Sequence, residues 1–279
     1  MDRVRFCYGL AHSSCRSAQS PEKAAKTLVT TPRETLPVLG APIDVATPAQ
    51  AVQRIKTWAD TRQSRVVCIC NAHSLVTTTT DPAFCAVIAG ADMATPDGAP
   101  VAWMLRKLGA PRQQRVCGPD LMLDYCAQAA QHGEAIYLFG STRATLDALQ
   151  RQLLTRWPTL RIAGVESPPF RALTPDEDDA AVARINASGA GTVWVSLGCP
   201  KQEMWMAAHR GRVHAVMVGV GAAFDFHAGT VTRAPGWMRN NSLEWLHRLA
   251  SEPRRLWRRY FVTNSVFMLL AARQLLLRR

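Results

Sequence analysis

The sequence lacks any CxxC pair: its eight cysteines stand at 7, 15, 68, 70, 85, 117, 126 and 199, which disfavours a zinc ribbon or a disulfide frame and suits buried thiols in a reducing compartment. It lacks an N-terminal apolar run long enough for a signal peptide. No uncharged stretch approaches membrane-spanning length either, so a cytoplasmic protein is expected. A phosphate loop of the form GxxxxGK[ST] is absent. The nearest approach to a dinucleotide fingerprint, Gly219-Val220-Gly221, fails because Phe224 stands where the third glycine belongs. Acidic residues are scarce, 21 against 33 basic ones, for a formal charge of +12. That excess calls for an acidic partner: nucleic acid, anionic lipid or a phosphorylated substrate.

The charge is unevenly placed. From Arg248 to Arg279 there are eight arginines against Glu252 alone, so this segment carries +7 of the +12. Residues 1–35 mix Ser, Thr, Pro and charge without periodicity and read as a poorly ordered extension. An α/β domain is expected over 36–246 and a basic amphipathic helical segment over 247–279.

Within the domain, short apolar runs alternate with helical patterns. Thr47-Pro48-Ala49-Gln50 is a capping box that opens a helix to about Ala59, and Thr174-Pro175-Asp176-Glu177 is a second. Strands are expected at 65–70, 92–95, 135–139, 161–165, 192–197 and 215–220, with helices between them. This rhythm predicts a Rossmann-like, mostly parallel sheet with helices on both faces.

Four strand ends carry polar or glycine-rich turns: Asn71 to His73, Asp97-Gly98, Gly140-Ser141, and Gly198 to Gln202. In a parallel sheet all of them open on one edge, where helix N-termini offer free N–H groups to an anion. Taken alone, Asp97 reads as a helix cap, Gly140 and Ser141 as a turn and cap. Asp176 and Asp178 form a D-x-D, but in the first turn of a capped helix acids complement the dipole, so they are expected to be solvated and no metal is expected.

The motifs NAHSLV (71–76), ADMATPDGAPVAW (91–103), RVCGPDL (115–121), LFGS (138–141), SLGCPKQE (196–203), GVGAAFDFHAGTVTRAP (219–235) and LEWLHRLASEPRR (243–255), in this order, resemble the WecG/TagA/CpsF glycosyltransferases. The resemblance implies inverting transfer, without a metal or other cofactor, from a UDP-sugar to a polyprenyl-diphosphate-linked sugar. The setting would be bacterial cell-surface or exopolysaccharide synthesis at the inner face of the cytoplasmic membrane. It places the catalytic base at Asp97 and family-matched residues at Arg115 and Gln202; Asn71, Gly140, Ser141 and Gly198, from the strand-end turns, are further candidate substrate contacts. Many members have threonine where this chain has Ile69. Without a metal, the departing diphosphate needs cations, for which Arg115, Arg254, Arg255 and Arg258 are the candidates.

Two other classes fit the composition: a nucleotide-dependent oxidoreductase on the same fold class, and a non-enzymatic module that binds nucleic acid or membrane through the basic segment. A basic strip beside Trp257 and Phe261 suits an anionic membrane surface, while an amphipathic helix packed on the core would show the same pattern. The residues leave the oligomeric state open, a homo-oligomer included.

Overall fold

The computed structural model describes residues 33–240, 243–251 and 253–277, with the backbone alone at 240, 255, 256 and 258–260. The expected extension therefore lies outside the described residues except at its end. There Arg33 belongs to the fold, pairing its guanidinium with Asp44 at 3.0 Å.

The chain opens with a hairpin, β1 (Thr35–Val38) and β2 (Ala41–Asp44), antiparallel with Pro37 opposite Pro42. Sequence reading missed it, since two prolines argue against pairing. Its two-residue turn carries positive φ at both Leu39 and Gly40, the geometry that matches strand twist. Asp44 is fully buried and ties the hairpin down. It receives Arg33, Arg54 at 2.9 Å and the Ala94 backbone N–H at 2.7 Å.

The main sheet holds β3 (Arg65–Cys70), β4 (Met93–Pro96), β5 (Ala135–Gly140), β6 (Arg161–Glu166), β7 (Thr192–Ser196) and β8 (Val216–Gly219). They run parallel in the order β4-β3-β8-β7-β5-β6. Strands covered on both faces should read as continuous apolar runs, and RVVCIC does. Val66, Cys68 and Cys70 enter one core cluster, Val67 and Ile69 the other.

One face is covered by α1 (Pro48–Ala59), α5 (Gly118–His132), α6 (Arg143–Arg156) and α9 (Ala223–Ala228). The other carries α2 (Ala72–Thr78), α3 (Pro82–Gly90), α4 (Ala99–Leu108), α7 (Pro175–Ala187) and α8 (Lys201–Ala208). Both predicted capping boxes form, Thr47 with Gln50 and Thr174 with Glu177. α5 went unread, although Pro119 at its first turn and Gly133 in left-handed conformation at its end are its signals. Two local readings are corrected. Thr142, not Ser141, caps α6 by accepting the Thr145 N–H. Asp178 is not merely solvated: it pairs with His209 and Arg212, each at 2.8 Å, fastening α7 to the end of α8.

Three helices close the chain: α10 (Gly236–Asn240), α11 (Glu244–Ser251) and α12 (Pro253–Leu277). α12 packs on α2 and α4. Phe267 and Ala271 are buried in the same core cluster as α4, and the Gln274 side chain donates to the Pro37 carbonyl at 2.6 Å while accepting the Leu39 N–H at 2.8 Å. The second half of α12 is thus part of the core, and burying Phe267 alone contributes about 2 kcal/mol. Its outer face is apolar and exposed at Trp257, Phe261, Met268, Leu269 and Leu276. Among the described residues no helix is long and apolar enough to cross a membrane.

Candidate active site

A cavity of about 380 Å³ opens at the C-terminal edge of the sheet, over the ends of β3, β4, β7 and β8. Ligands of open parallel sheets collect at this edge. Asn71, Asp97, Arg115, Gly198 and Gln202 all line it, five of the residues singled out from sequence.

Asp97 follows β4, and its backbone N–H continues the pairing by donating to the Cys70 carbonyl at 2.9 Å. Gly98 takes the N-cap position of α4 with φ 83 and ψ 158, and no side chain caps that helix. The cap reading of Asp97 is therefore set aside, and the carboxyl is left at the cavity. Burial and the neighbouring carboxylate of Glu244 push its pKa up, against Arg115, Arg248 and the Gly98 N–H, to about 6.

Asn71 does cap. Its Oδ1 accepts the N–H groups of His73 at 3.0 Å and Ser74 at 3.2 Å, which leaves its Nδ2 as the group to meet a ligand. Gln202 is buried and braced on both sides. Its Oε1 accepts the Gly221 N–H at 3.1 Å and its Nε2 donates to Glu203 at 2.8 Å. A Cβ at Gly219 would stand 2.7 Å from the terminal methyl of Met206 and 3.1 Å from the Gln202 amide, so it would press on the side chain that holds the Gly221 turn. Glu203 is buried with Oε2 unpartnered among the described residues, and desolvation pushes its pKa up.

Arg115 is brought beside Asp97 because the next residue, Val116, donates to the Pro96 carbonyl at 2.8 Å. Its guanidinium pairs with Glu244 at 3.2 Å. Cys117 and Gly118, at the uncapped start of α5, line the cavity, as do the openings of α2, α8 and α9. Several helix N-termini therefore converge with two guanidiniums, Arg115 and Arg248, an arrangement suited to a phosphorylated ligand.

The remaining predicted residues sit elsewhere. Gly140 and Ser141 do not line the cavity. Gly140 is demanded by packing, since a Cβ would lie 2.3 Å from the Ser196 carbonyl oxygen. Arg254 is exposed and outside the lining, and the side chains of Arg255 and Arg258 lie outside the described residues. In their place α11 supplies Glu244, Trp245 and Arg248, and α12 supplies Thr263 and Asn264. Spacing could have found the first pair: Glu244 and Arg248 are four apart on one helix face.

The family model for the glycosyl transferase WecG/TagA/CpsF family matches residues 36–279. The chain belongs to this family. A glycosyltransferase requires a sugar donor and an acceptor, and the match runs through α11 and α12 as well as the sheet. Membership sets aside the oxidoreductase and the non-enzymatic module that composition alone had left standing.

Proposed function

We propose that this glycosyltransferase moves a sugar from a UDP-sugar to a polyprenyl-diphosphate-linked sugar, with inversion and without a metal, at the inner face of the cytoplasmic membrane. The observation that carries the reading is the Asp97 carboxyl, free of capping duty, at a cavity where helix N-termini, Arg115 and Arg248 meet.

The acceptor hydroxyl attacks the anomeric carbon while its proton passes to Asp97. The bond from that carbon to the diphosphate oxygen breaks, and UDP leaves with the electron pair. A general base must be ionised and within hydrogen-bond reach. A carboxyl with a pKa of about 6 is ionised at neutral pH yet more basic than an ordinary aspartate. The negative charge growing on the diphosphate is met by the two guanidiniums and by backbone N–H groups fixed before the reaction begins. Asn71, through its remaining amide group, orients sugar hydroxyls, and Gln202 holds the Gly221 turn that closes the cavity floor. Ile69 gives this floor an apolar wall.

The acceptor's lipid is matched by the outer face of α12, where Trp257, Phe261 and Leu269 are exposed. The same helix sends Thr263 and Asn264 to the cavity, so one element faces both the membrane surface and the site. Incubation with a panel of UDP-sugars and a lipid-diphosphate-linked sugar, followed by mass measurement of the lipid product, tests the function. A mass gain of one sugar with release of UDP is the expected result; no product with any UDP-sugar refutes the donor class.

A further inference from the structure

Glu244 lines the cavity and pairs with Arg115, the arginine assigned above to the donor's diphosphate. Its Oε2 lies 3.2 Å from Arg115, and its Oε1 lies 3.5 Å from the Nε of Arg233. The second contact is incomplete: Arg233 Nε is buried and makes no hydrogen bond among the described residues, although the same guanidinium reaches Asp120 at 2.6 Å. A buried donor left without an acceptor is costly, so the carboxylate has a second place to go, adjacent to the first.

The charges around the cavity require some such movement. Its lining carries two arginines, Arg115 and Arg248, against the acids Asp97, Glu203 and Glu244. A diphosphate brought into this set without rearrangement meets one guanidinium already occupied and a carboxylate directly beside it. Glu244 is the first residue of α11 and its side chain is largely buried, so it is held by these two arginines and not by solvent.

We propose that Glu244 is a placeholder anion: it holds Arg115 in the donor-free enzyme, yields that arginine to the donor's diphosphate, and closes onto the Nε of Arg233. The proposal rests on the diphosphate donor above. It makes Glu244 a positioning residue that acts through Arg115. It keeps Arg115 extended into the cavity before the donor arrives and competes with every anion that binds there.

The consequence is measurable on the full chain with Glu244→Gln, which keeps the shape and an acceptor oxygen but removes the charge. UDP and, separately, inorganic pyrophosphate should bind this variant at least roughly fivefold more tightly than wild type, the scale of one charged contact that no longer competes. The gain should vanish when Arg115→Gln is present in both proteins, as coupling through that arginine demands. A second readout is the acidic limb of the pH dependence of kcat/KM. Asp97 is faced by Glu244 and Arg248 from α11, by Arg115 and Cys117 ahead of α5, and by the Gly98 N–H. Removing the one carboxylate among them moves that limb to lower pH; a limb that stays in place would show that Glu244 carries no charge beside Asp97 in the donor-free enzyme, and would overturn the placeholder. Thermal unfolding of each variant confirms folding. UDP affinity equal to or weaker than wild type in a folded Glu244→Gln protein overturns the placeholder and leaves the donor reading standing. Failure of UDP and pyrophosphate to bind either protein overturns both.

Discussion

Gly98 occupies the N-cap of α4 with a positive φ of 83, and among the described residues the carboxyl of Asp97 beside it makes no side-chain hydrogen bond that would spend it. A residue with a Cβ at position 98 would be strained, and an aspartate one place later would be drawn into capping. The division between the two residues turns a helix start into a place for a base.

Replacing Asp97 by Asn should leave the fold and UDP binding intact and lower turnover by at least roughly a hundredfold, the scale of a lost general base. In wild type, the carboxyl is raised to about 6, so kcat/KM should fall below that pH as the base becomes protonated and hold level above it. A rate profile flat down to pH 5, or near-normal turnover in folded Asp97→Asn, removes Asp97 from the chemistry.

Glu203 offers a test through stability. Its carboxyl accepts from Gln202, yet burial raises its pKa above the unfolded value. The folded state therefore holds this proton more tightly than the unfolded chain. The buried charge costs stability at alkaline pH, and the cost fades as pH falls through the raised value. Glu203→Gln should accordingly unfold at a higher temperature than wild type at pH 8, with the gap closing as the pH is lowered. A variant less stable than wild type at every pH would show that the charge, not only the shape, braces Gln202.

Much of this was legible because local rules and tertiary demands agree. The capping boxes at Thr47 and Thr174 formed as read, and RVVCIC became a central strand because both its faces are covered. The sheet-edge acid at Asp97 was found through its corner, Pro96-Asp97-Gly98. What escaped depends on distant partners. The hairpin at Pro37 and Pro42 went unread, because it is fixed by distant contacts: Asp44 at its end accepts from Ala94, and Gln274 of α12 bonds to Pro37 and Leu39. Gly140 looked like part of a ligand loop, and its need is steric, set by Ser196 on the next strand. Arg248 was passed over for the denser arginines after Pro253 because composition counts charges without showing which helix face meets the cavity.

Metal independence is open to a direct check. Among the described residues no group of three or more His, Cys, Asp or Glu is placed to hold a metal ion, and Asp178 of the D-x-D is committed to His209 and Arg212. Turnover should survive excess EDTA. Loss of activity in chelator, recovered on adding Mg²⁺ or Mn²⁺, would mean that the substrate brings a metal into the site and that Arg115 and Arg248 do not suffice for the diphosphate.

The last prediction separates the two faces of α12. Deleting the chain after Leu246 would remove Phe267 and Ala271 from the core, so truncation would confuse folding with docking. Substitutions on the outer face avoid this. Trp257, Phe261 and Leu269 are 56%, 73% and 72% exposed, so changing all three to Ser costs little packing. Basic residues near an anionic surface contribute about 1 kcal/mol each, and Arg254 and Arg273 are exposed on the same helix. Apolar side chains that enter the interface add to this, and Arg273 keeps the helix from passing through it. Wild type should therefore bind anionic vesicles and leave them at high salt. The triple Ser variant should stay folded, bind those vesicles weakly, and lose turnover on a lipid-linked acceptor while keeping it on a short-chain, water-soluble analogue. Equal vesicle binding by both proteins would show that α12 does not dock there. An equal loss on both acceptors would show that its outer face acts on the cavity through Thr263 and Asn264, and not through the membrane.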